Sequence, residues 1–291
     1  MVPTSASRGG SGPGASGPPA PRRRSIWLGL FGFRGTTSRA VNLAVGALGF
    51  VVIIGLWQLA AGLGLVSAVF LPSPWAVAGA FYRMFADFGF LNDIGISVYR
   101  VWVAFLVSAL MAIPLGILMS SFKIVNSVNE PIIDFLRYLP VPALVPLTII
   151  WFGIGEVSKI TLLWMGTFFQ LVPLIADDAN RVPHEYIEIA RTVGARPRDI
   201  LKDVILRAML PSMVDNLRIT LGWCWTYLVI AEIVASSSGI GYVIWDARRY
   251  MQTPTVMAGV VAIGVIGLVT DQAIRIVHRR VFSYLRTDAG A

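Results

Sequence analysis

Six stretches of about 20 mostly apolar residues recur along the 291-residue chain, and a helix of that length crosses roughly 30 Å of hydrocarbon. They lie near residues 41–63, 97–120, 131–152, 158–176, 212–235 and 255–274. Inside lipid every backbone N–H and C=O must be satisfied within the segment, so a run of this kind forms a helix rather than an open strand. Composition points the same way. The chain is 56% hydrophobic and 14% charged, whereas globular domains carry about a quarter charged residues. The expected fold is therefore all-α and integral to a membrane, with six transmembrane helices.

The placement of charge orients those spans. Net charge is +8, and a basic balance alone suits nucleic acid, an anionic surface or a topology signal. With the N-terminus in the cytoplasm, 19 of the 24 Lys and Arg residues fall on the cytoplasmic side, and Arg83, Arg100, Lys159, Arg248 and Arg249 remain outside. This is the positive-inside pattern, so both termini are expected in the cytoplasm and the nucleic-acid reading has no support.

Residues 1–40 read as a basic cytoplasmic arm, disordered because its Gly, Ser and Pro content gives it nothing to bury. Its arginine cluster is not followed by a short apolar region and cleavage site, which argues against a signal peptide. The acid-free, Arg- and Ser-containing composition leaves a transit peptide open. Residues 41–93 hold the first span and an external amphipathic segment, whose helix opens at Ser73 as N-cap with Pro74 in its first position. Residues 94–280 hold the other spans, with a cytoplasmic loop at 181–211, and residues 281–291 form a cytoplasmic tail. Residues 236–255 make a second external loop.

The loop at 181–211 is a charged island of ten Asp, Glu, Lys or Arg residues between apolar runs. Tyr186, Ile189, Ala190 and Val193 recur at helical spacing on one face, with Glu185, Glu188 and Arg191 opposite. Gly194 supplies a left-handed stop, and Pro197 with Asp199 suits the start of a second short helix with its own apolar stripe at Ile200, Leu201, Val204 and Ile205. Two short helices with an apolar stripe fit a groove on another protein, and they equally fit a lipid surface.

Glu188-Ile189-Ala190, three residues and then Gly194 resemble the Glu-Ala-Ala…Gly loop of ATP-binding-cassette (ABC) importer permeases, and Leu210-Pro211 resembles its closing pair. LPSPWAV (71–77), WFGIGEVSKI (151–160), AEIVASSSGIGYVIWDAR (231–248) and IGVIGLVTD (263–271) extend the resemblance to the nitrate, sulfonate, taurine and bicarbonate group of these permeases. The match covers about residues 70–285. Many relatives have Ala where Ile189 stands, Pro where Arg207 stands and a hydroxyl cap where Arg196 precedes Pro197.

The resemblance implies a multi-pass protein of a bacterial inner membrane, and a loop in which Glu188, Ile189, Ala190, Gly194, Leu210 and Pro211 couple to a cytoplasmic ATPase. It also implies an external solute-binding protein and a second permease copy, here a homodimer. The chain contains no G-x-x-x-x-G-K-[ST], the loop that cradles nucleotide phosphates. ATP and Mg are thus expected on the partner, with no cofactor, metal or catalytic residue on this chain. The cargo implied is a small oxyanion or sulfonate.

Some polar and proline positions inside the spans are candidates for the pathway or its gate. Glu232 stands near the end of the fifth span, either as a pathway or gate residue or as a helix-end carboxylate reaching interfacial water or a loop. Arg100 either attracts an anionic solute or snorkels to the outer interface, and Arg137 sits one turn from Asp134 with pairing geometry. Pro140, Pro142 and Pro146 interrupt the third span and Pro114 the second, and irregular backbone at membrane depth lines a cavity or is buried in protein. Asp177 and Asp178 are expected in cytoplasmic water, Glu156 as an external loop cap, and the lone Cys224 as a small packing residue. A proton-coupled transporter or channel remains the competing reading, with Glu232 and Asp271 as its thin supply of relay groups.

Overall fold

The computed structural model describes residues 39–87 and 89–283. The disordered arm expected at 1–40 lies outside the described residues except for Arg39 and Ala40, which are already helical, and so does the tail beyond 283. Every regular element among the described residues is a helix. They are α1 (Arg39–Gly62), α2 (Pro74–Asp87), α3 (Phe90–Ser121), α4 (Lys123–Arg137), α5 (Val141–Phe152), α6 (Glu156–Asn180), α7 (His184–Thr192), α8 (Leu206–Ala235), α9 (Ile240–Arg249) and α10 (Thr253–Val281). A turn at Pro197–Asp199 and a π-helical stretch at Ile200–Ile205 run without interruption into α8.

The chain divides into two units, residues 1–56 and residues 57–291. The described part of the first is apolar helix, most of α1. Among the described residues five helical runs are long and apolar enough to cross a membrane, and the pair α4 and α5 supplies a sixth crossing only if counted as one span bent by 102°. The third span is therefore not the continuous helix over 131–152 that its hydropathy suggests. Pro140 lacks a donor and its ring collides with the carbonyl four residues back, so α4 ends before it. Pro114 and Pro146, by contrast, stay within α3 and α5 without ending them.

At 32 residues, α3 is about 48 Å long, more than the hydrocarbon needs, so it projects beyond it. It packs along α6, closely enough at Gly116 that a Cβ there would stand 2.8 Å from Ile175 Cβ. Three apolar clusters follow α3 from end to start. The first joins Ile117, Ile175, Ala190, Ile205 and Met209 at the α7 end. The second joins Val101, Leu163, Cys224 and Leu228 at mid-height, and the third joins Val77, Met84, Phe90, Ile244 and Ala258 at the α9 end. Cys224 is fully buried there, as a small packing residue would be. Ser73 Oγ accepts the Ala76 N–H at 3.3 Å, which caps α2 as its sequence suggests.

Candidate functional site

The charged island builds a compact loop at the α7 end. Gly194 adopts φ +79°, and the Ala195 N–H reaches the Ala190 carbonyl at 3.0 Å while Gly194 N–H reaches Arg191 at 3.0 Å. That bond pair is a Schellman turn, and it ends α7 where the glycine predicts. Ile187 and Ala190 face inward against the first cluster. Tyr186, Ile189 and Val193 are 53%, 62% and 78% exposed, so the apolar stripe expected on one face splits, with Ala190 alone of the four buried. Glu188 and Gly194 lie on the exposed surface too.

The second half differs from a free short helix. Pro197 occupies the first helical position as predicted, and the Asp199 carboxylate accepts the Arg196 N–H at 3.3 Å, offsetting the missing hydroxyl cap. Ile200 and Ile205 are buried and carry the chain into α8, so this helix is the root of the fifth span. Leu210 and Pro211 fall inside α8, partly buried, with the Pro211 carbonyl 3.1 Å from His278 Nε2. Arg207 pairs with Asp203 at 2.8 Å across one turn. Between α7 and this root runs an open groove lined by Tyr186, Ile189, Ala190, Val204, Arg207 and Ala208.

A second cluster sits at the α9 end. Arg100 is fully buried and holds two carboxylates. Its Nε and Nη2 donate to the two oxygens of Glu156 at 2.6 Å each, and Nη1 donates to Glu232 Oε1 at 2.7 Å and to the Ser238 carbonyl at 2.9 Å. Glu232, also fully buried, accepts further bonds from Ser97 Oγ and the Gly241 N–H, both at 2.7 Å. Lys159 Nζ reaches Glu156 at 2.9 Å, so two cations meet two carboxylates.

Arg100 therefore does not snorkel, and Glu232 reaches not interfacial water but the backbone where the loop enters α9, at the Gly241 N–H. The cluster ties α3, α6, α8 and the loop before α9 together. Asp93 adds to it by accepting the Gly239 N–H at 2.7 Å. Ser97, Lys159 and Asp93 are missed from sequence, although a charge inside an apolar run demands a partner somewhere. Glu156 is the first residue of α6 rather than a free loop cap.

Pro140 and Pro142 line a third feature, a cavity of about 350 Å3 beside the break between α4 and α5, in company with Arg137, Gln170 and Tyr227. Arg137 pairs with Asp134 at 3.1 Å, as their spacing suggests. Asp178, expected in water, is instead buried and accepts from Asn216 Nδ2 at 2.7 Å. Asp177 is exposed. Among the described residues no three His, Cys, Asp or Glu side chains converge as a metal site would require.

These features define a helical membrane component with an exposed, turn-braced loop at the α7 end. The chain belongs to the binding-protein-dependent transport system inner membrane component family, whose model matches residues 112–283. A Bacillus subtilis protein whose name assigns it to aliphatic sulfonates transport as permease is 36% identical, over 82% of this chain and 87% of its own. The taurine transport system permease of Escherichia coli is 33% identical over 85% and 91%, and the nitrate import permease of Leptolyngbya laminosa is 27% identical over 81% and 86%. In fold the chain resembles an inward-facing methionine ABC transporter, with TM-score 0.59 and 20% identity over 66% of this chain and 95% of that one. This chain is thus the permease subunit of an ABC importer, an inner-membrane component, and its family works with an ATPase and a binding protein. Membership in this family removes the proton-coupled alternative.

Proposed function

We propose that this permease imports a small oxyanion or sulfonate of the nitrate, taurine, alkanesulfonate or bicarbonate type, and that α7 and the root of α8 seat in the ATPase. Two copies of the chain form one pathway in the lipid bilayer. ATP and magnesium bind to the ATPase subunits, and this chain binds no cofactor. Both termini lie in the cytoplasm on this reading, which the crowding of Arg181, Arg191, Arg196, Arg198 and Lys202 at the α7 end supports. The anionic cargoes in the names of the relatives support the substrate class.

The observation that carries the coupling role is the exposed apolar row Tyr186, Ile189 and Val193, held rigid by the Gly194 turn and bordered by a groove. A membrane-facing row would want basic flanks throughout, whereas Glu185, Glu188, Asp199 and Asp203 interleave with the arginines here. The test is uptake of labelled taurine or nitrate, in the presence of the external binding protein, by vesicles holding the chain with and without its ATPase. Uptake should require the ATPase and collapse in Gly194→Leu. Uptake without any ATPase, or indifference to Gly194→Leu, sinks the reading.

A further inference from the structure

The cavity at the break of the third span has a chemistry of its own. Its walls are apolar and aromatic apart from Arg137, Tyr138, Gln170 and Tyr227, and no carboxylate lines it. Arg137 is therefore its one formal charge among the described residues. Gln170 Nε2 donates to the Arg137 carbonyl at 3.1 Å, and Gln170 stands near the middle of α6, so the break lies at mid-bilayer depth and Arg137 leaves the cytoplasmic tally of basic residues, which keeps its inside bias without it. A charge there costs roughly 2.5–3.5 kcal/mol on insertion scales unless it faces protein or a watered cavity.

Arg137 is only partly neutralised. Its partner Asp134 faces a separate cavity of about 230 Å3 nearer the α7 end, lined also by Glu130 and Asp177, and Arg137 borders both spaces. Arg137 Nη2 lies 3.5 Å from the Tyr138 hydroxyl, while its Nε–H is buried with no hydrogen-bond partner. The C-terminal end of α4 and the N-terminal end of α5 meet at the break, so their opposite dipoles offset one another. The guanidinium is then the one formal charge that lines this cavity, with its paired carboxylate on the far side. Gly166 lets the Tyr227 ring lie against α6, since a Cβ there would stand 2.7 Å from Tyr227 Cδ2.

We infer that this cavity is a way-station for the solute and selects small oxyanions, with Arg137 as the charged contact and Gln170, Tyr138 and Tyr227 as neutral donors. A planar guanidinium matches the oxygens of a nitrate, carboxylate or sulfonate. Asp134 is the internal competitor that holds Arg137 when the site is empty. The inference rests on the substrate class proposed above.

The test uses the permease–ATPase complex in proteoliposomes, carrying Cys224→Ala and a reporter Met165→Cys, since Met165 lines the cavity. The thiol is labelled across the nucleotide cycle with a sulfonate-bearing and a quaternary-ammonium-bearing methanethiosulfonate, each rate normalised to free cysteine. The sulfonate reagent should be favoured about tenfold, in line with one charge-assisted contact, and Arg137→Gln should abolish the preference while Arg137→Lys keeps part of it. Asp134→Asn should strengthen it, which decides the matter if Arg137→Gln fails to assemble. No labelling in any state, equal normalised rates, or a preference indifferent to both Arg137→Gln and Asp134→Asn overturns the inference. Uptake of labelled taurine and nitrate is measured in parallel with the binding protein. If the sulfonate preference holds but neither anion is taken up, the proposed cargo falls and the cavity's selectivity stands. If an anion is taken up without that preference, the cavity inference alone falls.

Discussion

At the residue scale, the Arg100 cluster shows how a charge can live inside an apolar span. Desolvating a guanidinium and a carboxylate costs several kcal/mol each, and the pair recovers this only when every polar atom is used. Glu232 uses its oxygens on Arg100, Ser97 and Gly241, and Arg100 spends its donors on Glu156, Glu232 and the Ser238 carbonyl. Breaking one member strands the other, so Glu232→Ala should destabilise the protein by about 3–5 kcal/mol. Glu232→Gln should cost less, because its amide oxygen still accepts from Gly241 or Ser97. Gly239 sits at φ +107°, and a Cβ there would run into the Glu232 carboxylate, so Gly239→Ala should approach Glu232→Ala in effect. Thermal unfolding of the detergent-solubilised complex measures all three, and a Glu232→Ala melting temperature equal to wild type would show that the pair holds nothing together. Arg100 and Glu232 are each legible in sequence as anomalies in apolar runs, but 132 residues separate them, and no local pattern reports which distant groups meet.

At the scale of elements, α7 offers a clean separation of folding from partnership. Ile189 and Val193 touch little within this chain, so Ile189→Asp or Val193→Asp should change stability by no more than about 0.5 kcal/mol. The same changes place a charge in the face proposed to seat in the ATPase, and co-purification of ATPase with tagged permease should fall at least tenfold. Retained co-purification at wild-type yield would mean that the exposed row docks elsewhere. The Gly194 turn and the Pro197 start are legible because each depends on one residue's backbone preference. The fusion of the second short helix to α8 is not, since the same proline start precedes a free helix or a fused one, and only burial of Ile200 and Ile205 decides. Prolines teach the same lesson. Pro140 ends a helix and Pro114 does not, because neighbouring helices determine whether a lost backbone bond is tolerated.

At the scale of the whole molecule, hydropathy located the membrane crossings because span length is fixed by the bilayer, whereas the 102° bend of the third span depends on packing against α6. The sidedness proposed from the Lys and Arg distribution makes one further prediction. Cys224 is the sole cysteine of the chain and is fully buried, so the native protein should resist a membrane-impermeant maleimide from either side. Cysteines placed at Tyr250, 69% exposed at the α9 end, and at Val193, 78% exposed at the α7 end, then report on opposite faces. In right-side-out vesicles Tyr250→Cys should label from outside and Val193→Cys only after the membrane is opened. With the ATPase bound, Val193→Cys should be protected even then, because the proposed seat covers it, while Tyr250→Cys stays reactive. Labelling of Val193→Cys from outside would invert the topology, and undiminished labelling in the assembled complex would move the ATPase contact away from α7.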